Sequence, residues 1–156
     1  MMTAVDDDVA IYRRHADELI RYATALVGPH DAADVVTDGV LAAFASPGWS
    51  TVMNPRAYLY RAVYSRAASM RRSDGRRHRR EAIAAVPERV EESPSSVDAH
   101  RALAQLSPQQ RAVVYFTYWD DLLPSQIAEL LDVSEGTVRK QLARARDHLR
   151  RILHAH

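Results

Sequence analysis

Apolar side chains recur at helical spacing near the start of the chain: Val9, Tyr12, Ala16, Leu19, Ala23 and Leu26. Such a stripe predicts an amphipathic helix, and Gly28-Pro29 ends it. A second stripe, Val36, Val40, Ala43 and Phe44, predicts a helix over 31–45 that breaks at Ser46-Pro47-Gly48. An irregular stretch through Trp49 and Met53 follows. Asn54-Pro55 then opens a third helix, because the asparagine oxygen accepts an orphan amide N–H and proline gives up an N–H that would have had no partner. Leu59, Val63, Ala67 and Met70 form its buried stripe.

The pattern then stops. RRSDGRRHRR over 71–80 and PERVEESPSS over 87–96 carry no apolar periodicity, which predicts the end of one domain and a flexible linker. Order returns near Val97, with Ala102, Leu103 and Leu106 on one face of a short helix. Ser107-Pro108-Gln109-Gln110 reads as a capping box with proline at the first helical position, opening a helix to about Trp119. Two more helices are expected, over 124–131 and 134–153. The expected fold is all-α: two small helical domains, 5–75 and 98–156, joined by a linker over 76–97, the second containing a helix-turn-helix.

Composition adds exclusions. With 47% apolar residues the chain can bury a core, and without cysteine it forms no disulfide and no thiolate zinc site. No apolar run approaches the ~20 residues needed to span a bilayer, and Met1 leads into Asp6, Asp7 and Asp8 rather than a signal peptide. A cytoplasmic protein without membrane insertion is expected. The net charge of +1 hides strong segregation: −5 over 1–53, +8 over 54–80, −4 over 81–98 and +2 over 99–156. A concentrated basic block attracts polyanions while an acidic one repels them, so different parts of the chain are expected to face different partners.

The last two predicted helices carry apolar stripes that meet across the short Asp132-Val133 turn, as in a helix-turn-helix. On the second, Thr137, Lys140 and Arg144 project away from Val138, Leu142 and Ala145, with Gln141 at the edge and Arg139, Arg146 and Arg150 on the opposite flank. Residues near the start of such a helix reach base edges, and later arginines neutralise phosphates. A plain helical hairpin with a solvated basic face has the same pattern. However, LSPQQRAVVYFTYWDDLLPSQIAELLDVSEGTVRKQLARARDHLR resembles the promoter-binding C-terminal domain of sigma factors. That resemblance implies reading of the minus-thirty-five element by Thr137, Arg139, Lys140, Gln141 and Arg144. Leu123 stands where the family usually has a serine or threonine cap.

In the first half, Asp34, Thr37 and Asp38 are spaced to share one exposed face, which by itself is only a solvated acidic surface. DAADVVTDGVLAAF resembles the sigma helix that docks on the clamp of the largest subunit of RNA polymerase, and the resemblance gives those three residues the docking role. Gly39 is a departure that costs about 1 kcal/mol in a helix interior. NPRAYLYRAVYSRAASMRR is similar to the helix that melts and holds the minus-ten element. Its basic, aromatic-rich surface suits single-stranded DNA, and the resemblance implies contacts from Tyr58, Arg61, Ser65, Ser69 and Arg72.

A docking helix, a melting helix, a linker and a helix-turn-helix, in that order, are together far more specific than any one motif. They resemble a bacterial sigma factor of the extracytoplasmic-function class, which implies core polymerase and promoter DNA as partners and control by an anti-sigma protein. No Gly-rich phosphate loop or GxSxG is present, and nothing completes a metal site around His154 and His156. No enzyme activity, metal or cofactor is expected. The rival reading is a free-standing helix-turn-helix regulator acting as a dimer on palindromic half-sites; a protein-interaction module such as an anti-sigma protein fits the basic last helix poorly.

Overall fold

The computed structural model describes residues 4–81 and 101–154, with side chains over 5–73 and 101–154. The regular elements among them are all helical: α1 (Ala4–Val27), α2 (Ala32–Ala45), a short 3₁₀ turn (Trp49–Thr51), α3 (Pro55–Glu81), α4 (Pro108–Tyr118), α5 (Pro124–Leu131) and α6 (Glu135–His154). Residues 101–104 are also helical. The stretch from 82 to 100, most of the expected linker, lies outside the described residues.

In the first region α1, α2 and α3 pack on one another. Gly28 ends α1 with φ of 88° while its N–H donates to the Thr24 carbonyl at 2.8 Å; a left-handed residue past a helix end is where glycine costs least. The predicted stripe residues Leu19, Ala23, Leu26, Val36, Val40, Leu59, Val63 and Ala67 are buried. Gly39 explains itself at the α2–α3 contact, because a Cβ there would lie 3.1 Å from the Val63 Cα and 3.2 Å from the Ala62 carbonyl oxygen. The helix-propensity cost is accepted because it lets two backbones approach closely.

The stretch after α2 is pinned rather than loose. Trp49 is buried beside Phe44 and Tyr58, with ring centroids 5.0 and 5.6 Å away, and its indole N–H donates to Asp8 on α1 at 2.8 Å. Asn54 caps α3 as expected, its Oδ1 accepting the Ala57 N–H at 3.1 Å. One boundary differs from expectation: α3 continues to Glu81, beyond residue 75. Arginine is a good helix former, and a helix already nucleated adds residues without needing an apolar stripe.

In the second region Ser107 and Gln110 form the predicted capping box, each side chain bonding the other's backbone N–H at 3.2 Å; such a cap stabilises by about 1 kcal/mol. At α5, Leu123 offers no side-chain acceptor, and Gln126 Oε1 instead receives the Leu123 N–H at 2.8 Å. Asp132, left-handed with φ of 56°, ends α5. Ser134 Oγ accepts the Thr137 N–H at 3.1 Å and so starts α6. Ile127, Leu130, Leu131 and Val138 are buried where α5 and α6 cross.

The two regions are closed on each other. Tyr22 stacks on Phe116 of α4 with centroids 4.8 Å apart and Tyr60 meets the same ring edge-on at 5.4 Å, so residues of both regions share one continuous core. Arg111, only 7% exposed, reaches from α4 to donate to the Leu26 carbonyl at the end of α1 and to Leu103. Burial, together with the neighbouring Arg71 charge, pulls its guanidinium down to about 10. Arg71 donates to the carbonyls of Leu106 at 2.9 Å and Ala104 at 3.1 Å. Farther along, α1 and α4 part into an open cleft of about 650 Å³ walled by Ile20, Ala25, Val114 and Leu149.

Candidate nucleic-acid interface

Three surfaces gather the charged residues singled out from the sequence. The first is the outer face of α2, whose inner face is committed to Val36, Val40 and Ala43. Asp34, Thr37 and Asp38 are all exposed there, and Asp38 also pairs with Arg66 of α3 at 3.2 Å. Leu41, 61% exposed, lies one turn farther along the same face. Sequence reasoning passed over it, since a leucine near an apolar stripe reads as core, and only its 3.6-residue phase relative to Asp34 and Asp38 sets it outside.

The second surface is the α2–α3 cleft, about 450 Å³, lined by Asp38, Ser46, Tyr58, Arg61, Ser65 and Arg66 among others. Tyr58, Arg61 and Ser65 therefore meet in one place. Ser69 and the exposed Arg72 continue the same face up the helix. Tyr58 donates to Ser46 Oγ at 2.5 Å, which fixes its ring at the cleft mouth. Arg61 is not open: its Nη2 donates to the Glu129 carbonyl of α5 at 2.6 Å, and its Nε is buried without a partner among the described residues. Tyr60, close in sequence to this set, is core, and burial foremost raises its hydroxyl well above the usual tyrosine value. Next to the cleft the short stretch before α3 leaves Met53 96% exposed.

The third surface is α6. Lys140 and Arg144 are exposed and Thr137 half-exposed, spaced to share one face. Arg139 turns to the flank, held by Glu135 at 2.6 Å. Gln141 is half-buried and bonded to Gln109 of α4 at 2.9 Å, so it points along the protein rather than outward. On the far flank Arg146 donates to the Tyr118 hydroxyl at 2.7 Å and lies 5.7 Å from that ring's centre. The five predicted residues thus divide into an outward trio, a flank arginine and an inward glutamine. Among the described residues no group of histidines and carboxylates could hold a metal ion.

Chemically the three surfaces differ. An acidic face with one exposed leucine suits a protein partner. A basic cleft with a fixed tyrosine suits an unstacked strand. A helix offering short polar and cationic side chains near its start suits a duplex groove.

The family model for sigma-70 region 2 matches residues 11–77, and the one for sigma-70 region 4 matches residues 96–149. The chain is 33% identical over 143 residues to the ECF RNA polymerase sigma factor SigL of Mycobacterium tuberculosis, covering 85% of this chain and 81% of that one. It is 30% identical over 150 residues to the RNA polymerase sigma-E factor of Streptomyces coelicolor, covering 90% and 82%. A solved structure of the sigma factor RpoE in complex with the anti-sigma factor NepR, from Bartonella quintana, shares the fold with a TM-score of 0.71 at 20% identity, covering 94% of this chain and 96% of that one.

Proposed function

Because the chain belongs to the extracytoplasmic-function sigma factors of the sigma-70 family, which direct transcription initiation by RNA polymerase, we propose that it divides this work between two domains, 5–75 and 98–156. The chain is not an enzyme; polymerase performs the chemistry. In the first domain Asp34, Thr37 and Asp38, extended by Leu41, dock on the clamp of the largest polymerase subunit. Tyr58, Arg61, Ser65, Ser69 and Arg72 hold the opened minus-ten strand. In the second domain α5 and α6 act as a helix-turn-helix on the minus-thirty-five element, with Thr137, Lys140 and Arg144 reaching bases and Arg139 a phosphate. Gln141 buttresses α4 or reads a base only after letting go of Gln109.

The observation that carries this reading is the clustering of Tyr58, Arg61 and Ser65 around one cleft beside the acidic α2 face. A strand threaded there lies directly against the surface assigned to polymerase. An anti-sigma partner is also proposed, supported by the NepR complex of the Bartonella quintana protein that shares this fold. No described helix is long and apolar enough to cross a membrane, and we place the protein in the cytoplasm with its polymerase.

The test is run-off transcription with bacterial core polymerase on a library of promoter fragments, comparing the chain with Asp34→Arg/Asp38→Arg. Reversing two charges on a docking face is expected to cut promoter-specific transcripts about a hundredfold. Tight binding to palindromic DNA as a dimer, with no transcripts from any fragment, would return the reading to a free-standing regulator.

A further inference from the structure

We propose that Asp8 is a positioning residue for the minus-ten strand: through the Trp49 indole it fixes the 46–53 stretch and the Tyr58 ring, and so keeps the mouth of the α2–α3 cleft in shape to receive the strand. The inference rests on the sigma reading above and adds to it a residue that lies outside the cleft.

The stretch between α2 and α3 has few anchors. Its backbone bonds are internal, Trp49 N–H to the Ser46 carbonyl, Thr51 N–H to Gly48 and Val52 N–H to Trp49, apart from the Ser46 N–H on the Ala43 carbonyl at the end of α2. Among the described residues two side-chain bonds tie the stretch to the helices around it. Tyr58 of α3 donates to Ser46 Oγ, and Trp49 donates to Asp8 Oδ1 of α1 at 2.8 Å. Both tethers converge on Tyr58. Its hydroxyl holds Ser46, the Trp49 ring meets its ring edge-on at 5.6 Å, and a Cβ on Gly48 would stand 3.7 Å from its hydroxyl. Ser46 and Tyr58 in turn line the cleft. Contact therefore runs from Asp8 to Trp49 to Tyr58 to the strand.

The chemistry of Asp8 fits this indirect role and no direct one. A carboxylate repels phosphates, so it does not itself hold a nucleic acid. An indole nitrogen can only donate, and one on a buried ring needs an acceptor. Phe44, 5.0 Å from Trp49 on α2, and Tyr58 bury the ring, but stacking and edge contacts leave it free to turn in its plane. A hydrogen bond is directional and sets that angle. A carboxylate makes a stronger acceptor than a neutral oxygen.

The test uses holoenzyme formed with bacterial core polymerase and two labelled probes cut from one promoter fragment that the parental chain transcribes. One probe is pre-opened by mismatches over the minus-ten element; the other is a duplex carrying the minus-thirty-five element alone. Affinity for each is read by fluorescence anisotropy, and circular dichroism checks folding. Asp8→Ala removes the acceptor, and Trp49→Phe removes the donor while keeping an aromatic ring. Each is expected to weaken binding of the pre-opened probe about fivefold, on the scale of one hydrogen bond, and to leave the minus-thirty-five probe bound as before. Combined, they should still cost about fivefold, because both cut the same bond. Asp8→Asn, whose amide oxygen still accepts, should stay within about twofold of the parent. A variant that merely folds poorly weakens both probes alike, and that outcome overturns the proposal. So does a double variant weakened by the product of the single effects, or an Asp8→Ala chain that binds the pre-opened probe like the parent. If the parental chain yields no transcripts with core polymerase from any fragment, the sigma reading falls and takes this proposal with it, a result distinct from those three.

Discussion

Two seams in this protein are made in opposite ways. Between α2 and α3 the backbones approach so closely that a Cβ at position 39 would lie 3.1 Å from the Val63 Cα, and Val36, Val40 and Val63 are buried nearby. Between the two regions the contact is aromatic, carries tyrosine hydroxyls with no partner among the described residues, and is fastened by arginines on carbonyls. Close apolar packing of the first kind regains nothing on separation. The second conceals polar groups that water satisfies as soon as it opens.

Three substitutions sharpen this contrast. Gly39→Val drives a branched side chain into the α3 backbone, which cannot give way as a side chain tip can. It should cost about 3 kcal/mol, the upper end for overpacking, and appear as a lower urea midpoint. If stability is unchanged, the first seam is not the rigid one.

Glu18→Gln comes next in size. Glu18 holds Arg56 through two bonds of 3.0 and 3.2 Å and also bonds His15. Burial opposes its ionisation, but the Arg56 and His15 contacts outweigh that and keep the carboxyl below its ordinary value of 4.5. A carboxyl depressed on folding contributes stability that is complete above the unfolded value and disappears as pH falls through the folded one. The variant should therefore be about 1.5 kcal/mol less stable at pH 7, with the gap to the parent closing as pH falls below 4.5. A gap that persists in acid would assign the loss to packing instead of charge.

The smallest effect is expected at the seam between the two regions. Tyr22→Phe removes a hydroxyl buried with no partner among the described residues and should raise stability by about 0.5 to 1 kcal/mol, read as a higher urea midpoint. Destabilisation would show that the hydroxyl has a partner in solution.

Much of the architecture was legible in the chain. Val36, Val40, Leu59, Val63 and Val138 announced their burial through periodicity, and Ser107, Gln110 and Asn54 announced their helix starts, because both signals are local. The acidic face of α2 and the outward trio on α6 followed from the same phase argument. What escaped depended on partners far away in sequence. Tyr22 and Tyr60 are buried by α4, Trp49 by an acceptor 41 residues earlier, and Gln141 is turned inward by Gln109. Gly39 read as a defect until the opposing backbone was visible. The docking, promoter and anti-sigma assignments came from resemblance, and no periodicity could have supplied them.

The arginines of the seam have a consequence for heredity. Arg61, Arg71 and Arg111 all grip backbone carbonyls: Glu129, Leu106 and Ala104, and Leu26 with Leu103. Every amino acid carries that carbonyl, so no codon change at the receiving positions deletes the acceptor. A charge-swap suppressor, the usual genetic signature of an ion pair, cannot arise for these contacts. Selection on how firmly these contacts hold can act almost solely through three arginine codons, and because the acceptors bear no net charge, the resulting fastening should vary little with the salt content of the cell.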